Sequence, residues 1–209
     1  MKILICDDHK IVREGLKQIL LQLSEITFVE ECGTGGDTLE MLRNEAFDIL
    51  LLDISLPDIS GLEVLQLAKR RFPAVNILVM SMMPQEQYAL RSVKLGASGY
   101  LTKDVSTEEL YRAIRVIFKG EFYLSSQVAQ DLTQQYIGRG VSQKHEALSS
   151  REFEIMLMFA SGKCPQAIAS SLYISPKTVS TYRSRFMEKM GFSQNAELTR
   201  YCIENKLIQ

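Results

Sequence analysis

The sequence predicts a five-stranded, parallel, doubly wound α/β domain followed by an all-α unit of four helices. Three observations predict it. Short apolar runs alternate with helix-spaced stretches along residues 1–119. Four of the five runs are nearly continuous rather than alternating, as strands covered on both faces require. The last third of the chain carries four short helical patterns with no strand-like run among them.

The apolar runs are Ile3–Cys6, Thr27–Val29, Ile49–Leu52, Ile77–Met80 and Gly99–Leu101. Between them the apolar residues fall at helical spacing, as in Val12, Leu16, Ile19, Leu20 and Leu23. Five strand-then-helix units imply a parallel sheet with right-handed crossovers, and about 120 residues suffice to bury a core. Gly120 and Phe122–Leu124 close this domain. Residues 125–137 read as a helix, with Val128, Leu132 and Ile137 as its contact points, and the polar, glycine-punctuated run Gly138–His145 as a linker. Helical patterns follow over about 149–161, 165–172, 176–190 and 194–205. A unit of this size with short turns fits a helix-turn-helix module. The expected division is therefore 1–119, a linker with a helix over 120–146, and 147–209.

Composition narrows the function classes. Hydrophobic residues at 46% and charged residues at 23% are ordinary for a globular chain and exclude a disordered or collagen-like one. No apolar run approaches the ~20 residues that span a bilayer, and a strand-like start ending in two aspartates is unlike a signal peptide. Four cysteines without metal-type spacing read as reduced thiols, so a cytoplasmic protein is expected. The net charge of −1 hides an asymmetry: residues 1–119 hold 14 Lys/Arg against 17 Asp/Glu, and residues 147–209 hold 8 against 5. An acidic front and a basic back suggest two domains with different partners.

Parallel open sheets bind ligands at the carboxyl ends of their strands. Here those ends carry Asp7 and Asp8, Asp53, Ser81 and Lys103, which should converge. Three neighbouring carboxylates raise one another's pKa unless a cation joins them. Hard oxygen ligands with open positions suit Mg²⁺. A carboxylate beside that ion can attack phosphorus to give an acyl phosphate, while a lysine and a hydroxyl stabilise the phosphoryl oxygens. Each residue alone could be a turn former; the set on four strands is far more specific.

On these residues the chain resembles a two-component receiver domain, a flavodoxin-like fold. The acidic pair of that family matches Asp7 and Asp8, the phosphoacceptor Asp53, the hydroxyl switch Ser81, the lysine Lys103 and the aromatic switch Tyr100, with Pro57 and Gly61 in the following loop. The resemblance implies Asp8 and Asp53 as direct Mg²⁺ ligands, Asp7 acting through water, Ser55 supplying a main-chain carbonyl, and phosphoryl transfer to Asp53 from a sensor histidine kinase. Two departures stand out. Asp104 follows Lys103 where many receivers have proline, which puts the usual cis bond in doubt, and Ser60 replaces a common aspartate. His9 reads as a residue at the start of the first helix, with a metal role as the other reading.

Residues 148–208 resemble the LuxR-type module of the NarL/FixJ response regulators, through Leu148–Glu152, Gly162, Ile168, Ala169, Leu172, Ile174, Ser175, Lys177–Val179, Lys189, Glu197 and Leu198. The residues agree with that reading. Ser175 is a good N-cap and Pro176 suits the first helical position, which starts the candidate recognition helix. Val179, Phe186 and Met190 share one inward face. Ser180, Thr181 and Ser184 then face outward to approach base edges, flanked by Lys177, Arg183 and Arg185 for phosphates, with Thr178 and Lys189 on the same helix completing the expected DNA-binding set. Cys164 is a weak cap for the preceding helix. Leu198, Tyr201 and Cys202 form an apolar stripe for the core or for a dimer.

The expected function is a DNA-binding transcriptional regulator, not an enzyme on other substrates. Phosphorylation of Asp53 would promote homodimerisation on double-stranded promoter DNA, with no membrane partner. A regulator of the same build working without phosphate is one alternative. An aspartyl-phosphate phosphatase or phosphotransferase is the other, weakened because Ser55 stands where haloacid-dehalogenase-type enzymes carry a second aspartate.

Overall fold

A computed structural model describes residues 1–82, 85–124, 143–205 and 207–208. The chain divides into two compact units, Met1–Tyr136 and Ile137–Gln209. The predicted helix over 125–137, and the linker up to residue 142, lie outside the described residues.

The first unit alternates strand and helix as the apolar runs predict. It comprises β1 (Lys2–Cys6), α1 (Lys10–Leu20), β2 (Phe28–Cys32), α2 (Gly35–Asn44), β3 (Ile49–Leu52), α3 (Gly61–Arg71), β4 (Asn76–Ser81), α4 (Gln85–Lys94), β5 (Gly99–Thr102) and α5 (Thr107–Phe118). All pairings are parallel, in the order β2-β1-β3-β4-β5. Ile3, Ile5, Ile49, Leu51 and Leu78 pack with Leu20, Leu110, Ile114 and Ile117 of α1 and α5 in one apolar cluster. The alternate residues Leu4, Leu50, Leu52 and Ile77 are equally buried, so both faces of the sheet are covered. This is why the strands read as continuous apolar runs.

Strand β2 departs from the sequence reading, which places it at Thr27–Val29. It runs on through Glu30 and Glu31 to Cys32. As an edge strand it leaves both glutamates partly exposed, so charge is tolerated and the apolar run ends before the strand does.

Register sets the edge on which chemistry can occur. Cys6 pairs with Leu52, Leu52 with Val79 and Ser81 with Thr102. Asp7, Asp53, Ser81 and Lys103 therefore sit at, or one step beyond, the carboxyl ends of adjacent strands. The Asp53 N–H donates to the Cys6 carbonyl (2.9 Å), and the Lys103 N–H to the Ser81 carbonyl (3.0 Å).

The loop from β3 to α3 folds back so tightly that the Gly61 N–H donates to the Ile54 carbonyl at 2.9 Å. A Cβ at Gly61 would overlap the Asp53 carbonyl and lie 2.6 Å from the Ile54 Cα. These are backbone atoms, which cannot swing aside, so only glycine fits.

In the second unit a 3-10 turn (Lys144–Ala147) precedes α6 (Ser150–Ala160), α7 (Pro165–Ser171), α8 (Pro176–Met190) and α9 (Asn195–Glu204). Ser149 and Glu152 form a capping box on α6. Ser175 caps α8 through the Thr178 N–H, Pro176 takes its first position, and Gly191 ends it at φ 69°. Cys164 makes no side-chain cap on α7, as its residue type predicts. Val179, Phe186 and Met190 of α8 are buried, with Met187 beside them. Arg151 and Glu154 are buried as a pair (2.8 Å), and a second arginine nitrogen donates to the Leu172 carbonyl (3.0 Å), tying α6 to the end of α7.

Gly61→Ala is expected to cost about 1–3 kcal/mol, the range for overpacking against unyielding neighbours. Urea unfolding would read it as a lower midpoint with an unchanged slope.

Candidate functional site

Of the expected sheet-edge residues, Asp7, Asp8, Asp53 and Lys103 meet in one acidic pocket. Asp7 and Asp53 are buried, at 2% and 3% exposure, and Asp8 stands at the rim. The Lys103 ammonium lies 2.5 Å from Asp7 Oδ2 and 2.8 Å from Asp53 Oδ2. Burial raises the Asp53 pKa, and the neighbouring Lys103 charge and hydrogen bond only partly offset it. For Lys103, burial acts downward but Asp53 and Asp7 outweigh it, leaving the ammonium above its ordinary value.

The two oxygens of Asp53 differ. Oδ2 is held by Lys103, whereas Oδ1 is buried with no hydrogen-bond partner. A buried carboxylate oxygen without a donor is costly, and it is the atom to expect where a cation or an incoming electrophile completes the site. Asp7, Asp8 and Asp53 supply hard oxygen donors that fit a Mg²⁺ ion. Together with His9 they offer four ligand atoms within 4.8 Å of one another. Ser55 follows on the same loop, where its main-chain N–H helps to lower the Asp53 pKa against the effect of burial.

Ser81 and Tyr100 are buried on the neighbouring strands β4 and β5. Every described peptide bond is trans, including that between Lys103 and Asp104.

Several contributors escape a sequence reading. The Asp58 carboxylate accepts from the Gly35 N–H (2.9 Å) and the Gly36 N–H (2.7 Å), tying the acceptor loop to the start of α2. Those two hydrogen bonds overcome the burial that would raise it, and hold Asp58 below the ordinary aspartate value. An aspartate after proline reads only as a turn former, so no signal marks this role. Arg13 donates to the Asp7 carbonyl (2.7 Å), steadying the acidic pair from α1. His9 sits at the start of α1 as expected, with no side-chain cap, and its ring turns toward the carboxylates, with Nδ1 at 2.6 Å from Asp8 Oδ1. Cys6 and Cys32 are register partners on β1 and β2, and all four cysteines are free thiols, as expected.

The second unit presents the outward face of α8. Ser180, Thr181, Ser184, Lys177 and Arg185 are exposed, and each of the three hydroxyls bonds to a carbonyl one turn back. Thr178 is half-buried beside its cap, Ser175. A groove lined by Lys163, Ser180, Arg183, Ser184 and Asn195 runs along this face. Two basic residues of the expected set are already engaged. Arg183 donates to Asn195 Oδ1 (2.8 Å) and lies over the Phe159 ring, and Lys189 is paired with Glu152 (2.6 Å). On α9, Leu198 and Cys202 are core residues, and Tyr201 contacts His145 Nδ1 (3.0 Å). Among the described residues no helix is long and apolar enough to cross a membrane.

Comparison with known proteins matches residues 3–115 to the family described as "Response regulator receiver domain". Residues 146–202 match "Bacterial regulatory proteins, luxR family". Response regulator GacA of Pseudomonas aeruginosa is 33% identical over 209 residues, covering 100% of this chain and 98% of that protein. Response regulator UvrY of Escherichia coli is 34% identical over 208 residues, covering 99% and 95%. Among solved structures, RcsB of Salmonella enterica serovar Typhimurium bound to the rprA promoter with the phosphomimetic BeF3⁻ aligns with a TM-score of 0.64. It is 25% identical and covers 96% of this chain and 97% of that one.

The Asp53 shift has a consequence for stability. A carboxyl whose folded pKa lies above its ordinary 3.8 favours the fold below that value, and the benefit is lost as pH rises through the folded value. Well above pH 3.8, Asp53 therefore works against the fold. Asp53→Asn should be more stable than wild type at pH 7, the gap narrowing as pH falls through the raised value. Denaturant midpoints over a pH series would read this, and a gap independent of pH would contradict it.

Proposed function

The chain belongs to the NarL/FixJ family of two-component response regulators, a receiver domain joined to a LuxR-type helix-turn-helix DNA-binding domain, and from that premise we propose how its own residues carry the signal. Asp53 Oδ1 attacks the phosphorus of a phosphohistidine on a sensor histidine kinase. The phosphorus–nitrogen bond breaks, the histidine leaves, and an acyl phosphate forms on Asp53. The carrying observation is that this oxygen is buried and unpartnered while its twin is fixed by Lys103.

The Lys103 ammonium, already beside Asp53, binds a phosphoryl oxygen as charge develops there. The Ser81 hydroxyl takes another, and Tyr100 on the next strand follows it. Asp8 and Asp53 would hold Mg²⁺ directly, Asp7 through water, with the Ser55 carbonyl completing the protein's share. The ion, when bound, offsets negative charge on the phosphoryl group. The only reaction catalysed is the chain's own phosphorylation and dephosphorylation. The phosphorylated form dimerises and binds double-stranded promoter DNA in the cytoplasm. In this reading residues 1–119 form the receiver, 120–146 the linker and 147–209 the DNA-binding domain.

On α8, Lys177, Arg183 and Arg185 contact phosphates. Ser180, Thr181 and Ser184 approach base edges, and Thr178 closes the helix start near the backbone. Lys189 serves the fold first, through Glu152.

Two experiments test this reading. Labelling with acetyl phosphate and Mg²⁺ should give an acid-labile adduct on wild type and none on Asp53→Asn; undiminished labelling at the same site would sink the assignment. In DNA titrations of the full-length protein at several salt concentrations, Lys177→Ala and Arg185→Ala should each weaken every sequence alike and lower the salt slope by about one. Thr181→Ala should change base preference, by ~1–3 kcal/mol at a contacted pair. Lys189→Ala should leave the slope in place and instead lower the unfolding midpoint of the domain.

A further inference from the structure

We infer that Tyr173, in the turn between α7 and α8, is a DNA contact whose phenol hydroxyl donates to a backbone phosphate beside the start of α8. The inference rests on the reading of α8 as the recognition helix and adds to it a residue outside that helix.

Three observations carry it. First, the local backbone asks for glycine. Helix α7 ends with the Ile174 N–H donating to the Ala169 carbonyl (3.0 Å) and the Tyr173 N–H to the Ser170 carbonyl (3.5 Å). This paired ending sets the residue after the cap, here Tyr173, in the left-handed region at φ 53°. Glycine normally takes that place, because it has no Cβ to crowd the following carbonyl. The other described residues with positive φ, Gly96, Gly120, Gly162 and Gly191, all follow the rule. Tyr173 is the one non-glycine among the described residues, and it carries a bulky ring.

Second, the ring gives the domain nothing in return. Tyr173 is 73% exposed, and among the described residues its side chain has no hydrogen bond, ion pair or ring contact. The turn is held by its neighbours instead. Ile168 and Leu172 are buried, and Arg151 donates to the Leu172 carbonyl (3.0 Å). A strained residue that persists because its surroundings over-determine it, without itself supporting the fold, points outward to function.

Third, its place in the chain selects the ligand. Tyr173 lies two residues before Ser175, the cap of α8, and Ser175, Pro176 and Lys177 are exposed in turn. In a helix-turn-helix the recognition helix meets base edges through its first residues, so the turn before it comes beside the sugar–phosphate strand. Lys177 and Arg185 give the neighbouring surface the charge that draws this strand to it. Tyrosine is among the side chains that donate to phosphate. Its hydroxyl brings one donor and no charge, so the contact adds affinity for every sequence without releasing a counterion.

The test titrates the full-length protein with a fluorescein-labelled duplex of random sequence at several salt concentrations, and follows urea unfolding in parallel. Tyr173→Phe keeps the ring and the backbone but removes the donor. It should weaken binding about threefold to tenfold at every salt concentration, with the salt slope unchanged. Tyr173→Gly should weaken binding at least as much, yet unfold no earlier in urea than wild type, because glycine suits the left-handed position. Lys177→Ala, by contrast, should lower the slope itself. Wild-type affinity in Tyr173→Phe would overturn the phosphate contact. An earlier urea midpoint in Tyr173→Gly would overturn it too, by making the residue a support of the fold. Absence of duplex binding by wild type, or a slope that neither Lys177→Ala nor Arg185→Ala changes, would overturn the reading of α8 beneath it and the contact with it.

Discussion

The Lys103 ammonium lies between the Asp7 and Asp53 carboxylates, all three side chains nearly withdrawn from water. Removing such charges from solvent costs several kcal/mol per ion, and their attraction offsets it only with good geometry. That geometry comes from the sheet. β1 and β3 end level on one edge and β4 and β5 run two residues further, because their registers are fixed by apolar side chains buried on both faces, where a one-residue slip would exchange the two faces. The loops after the strands inherit this precision. Gly61 lets α3 begin against the Asp53 carbonyl, and Asp58 ties the same loop to α2. The charged centre is destabilising by itself and is held by the apolar sheet beneath it.

What could be read from the sequence follows from the range of the signals. Continuous apolar runs mark β1, β3, β4 and β5 because doubly covered strands admit nothing else. The residues ending those strands then follow from topology alone, which is how Asp7, Asp53, Ser81 and Lys103 were legible. β2 was legible only in part, since an edge strand accepts Glu30 and Glu31. The carboxylate of Asp58 meets backbone N–H groups 22 and 23 residues away, a pairing that no local pattern encodes. The same holds for His9. Its place at the start of α1 was legible, but the direction of its ring depends on where Asp8 points.

The DNA-binding unit shows the same division. The Ser175 cap acts within three residues and was readable; the Ser149 capping box acts over the same range. The cross-ties were not: Arg151 reaches the Leu172 carbonyl, Lys189 reaches Glu152, and Arg183 reaches Asn195. Each joins a different pair of elements, α6 to the end of α7, α8 to α6, and α8 to α9. A basic residue on α8 is therefore not by position alone a DNA contact. Arg183 and Lys189 have a partner inside the domain, and Lys177 and Arg185 are the exposed basic pair outside these ties.

The hydroxyls of Ser180, Thr181 and Ser184 each bond to a carbonyl of their own helix. The opposite face of α8 anchors the domain through Val179, Phe186, Met187 and Met190. Along one helix, the residues that hold the fold and those that meet the outside are thus different sets. On the proposed role of these hydroxyls at base edges, exchanging one alters no tertiary packing, so target preference can drift during evolution without first passing through unstable intermediates. A lineage of such regulators could acquire new operators one substitution at a time, while the core that presents the helix stays as it is.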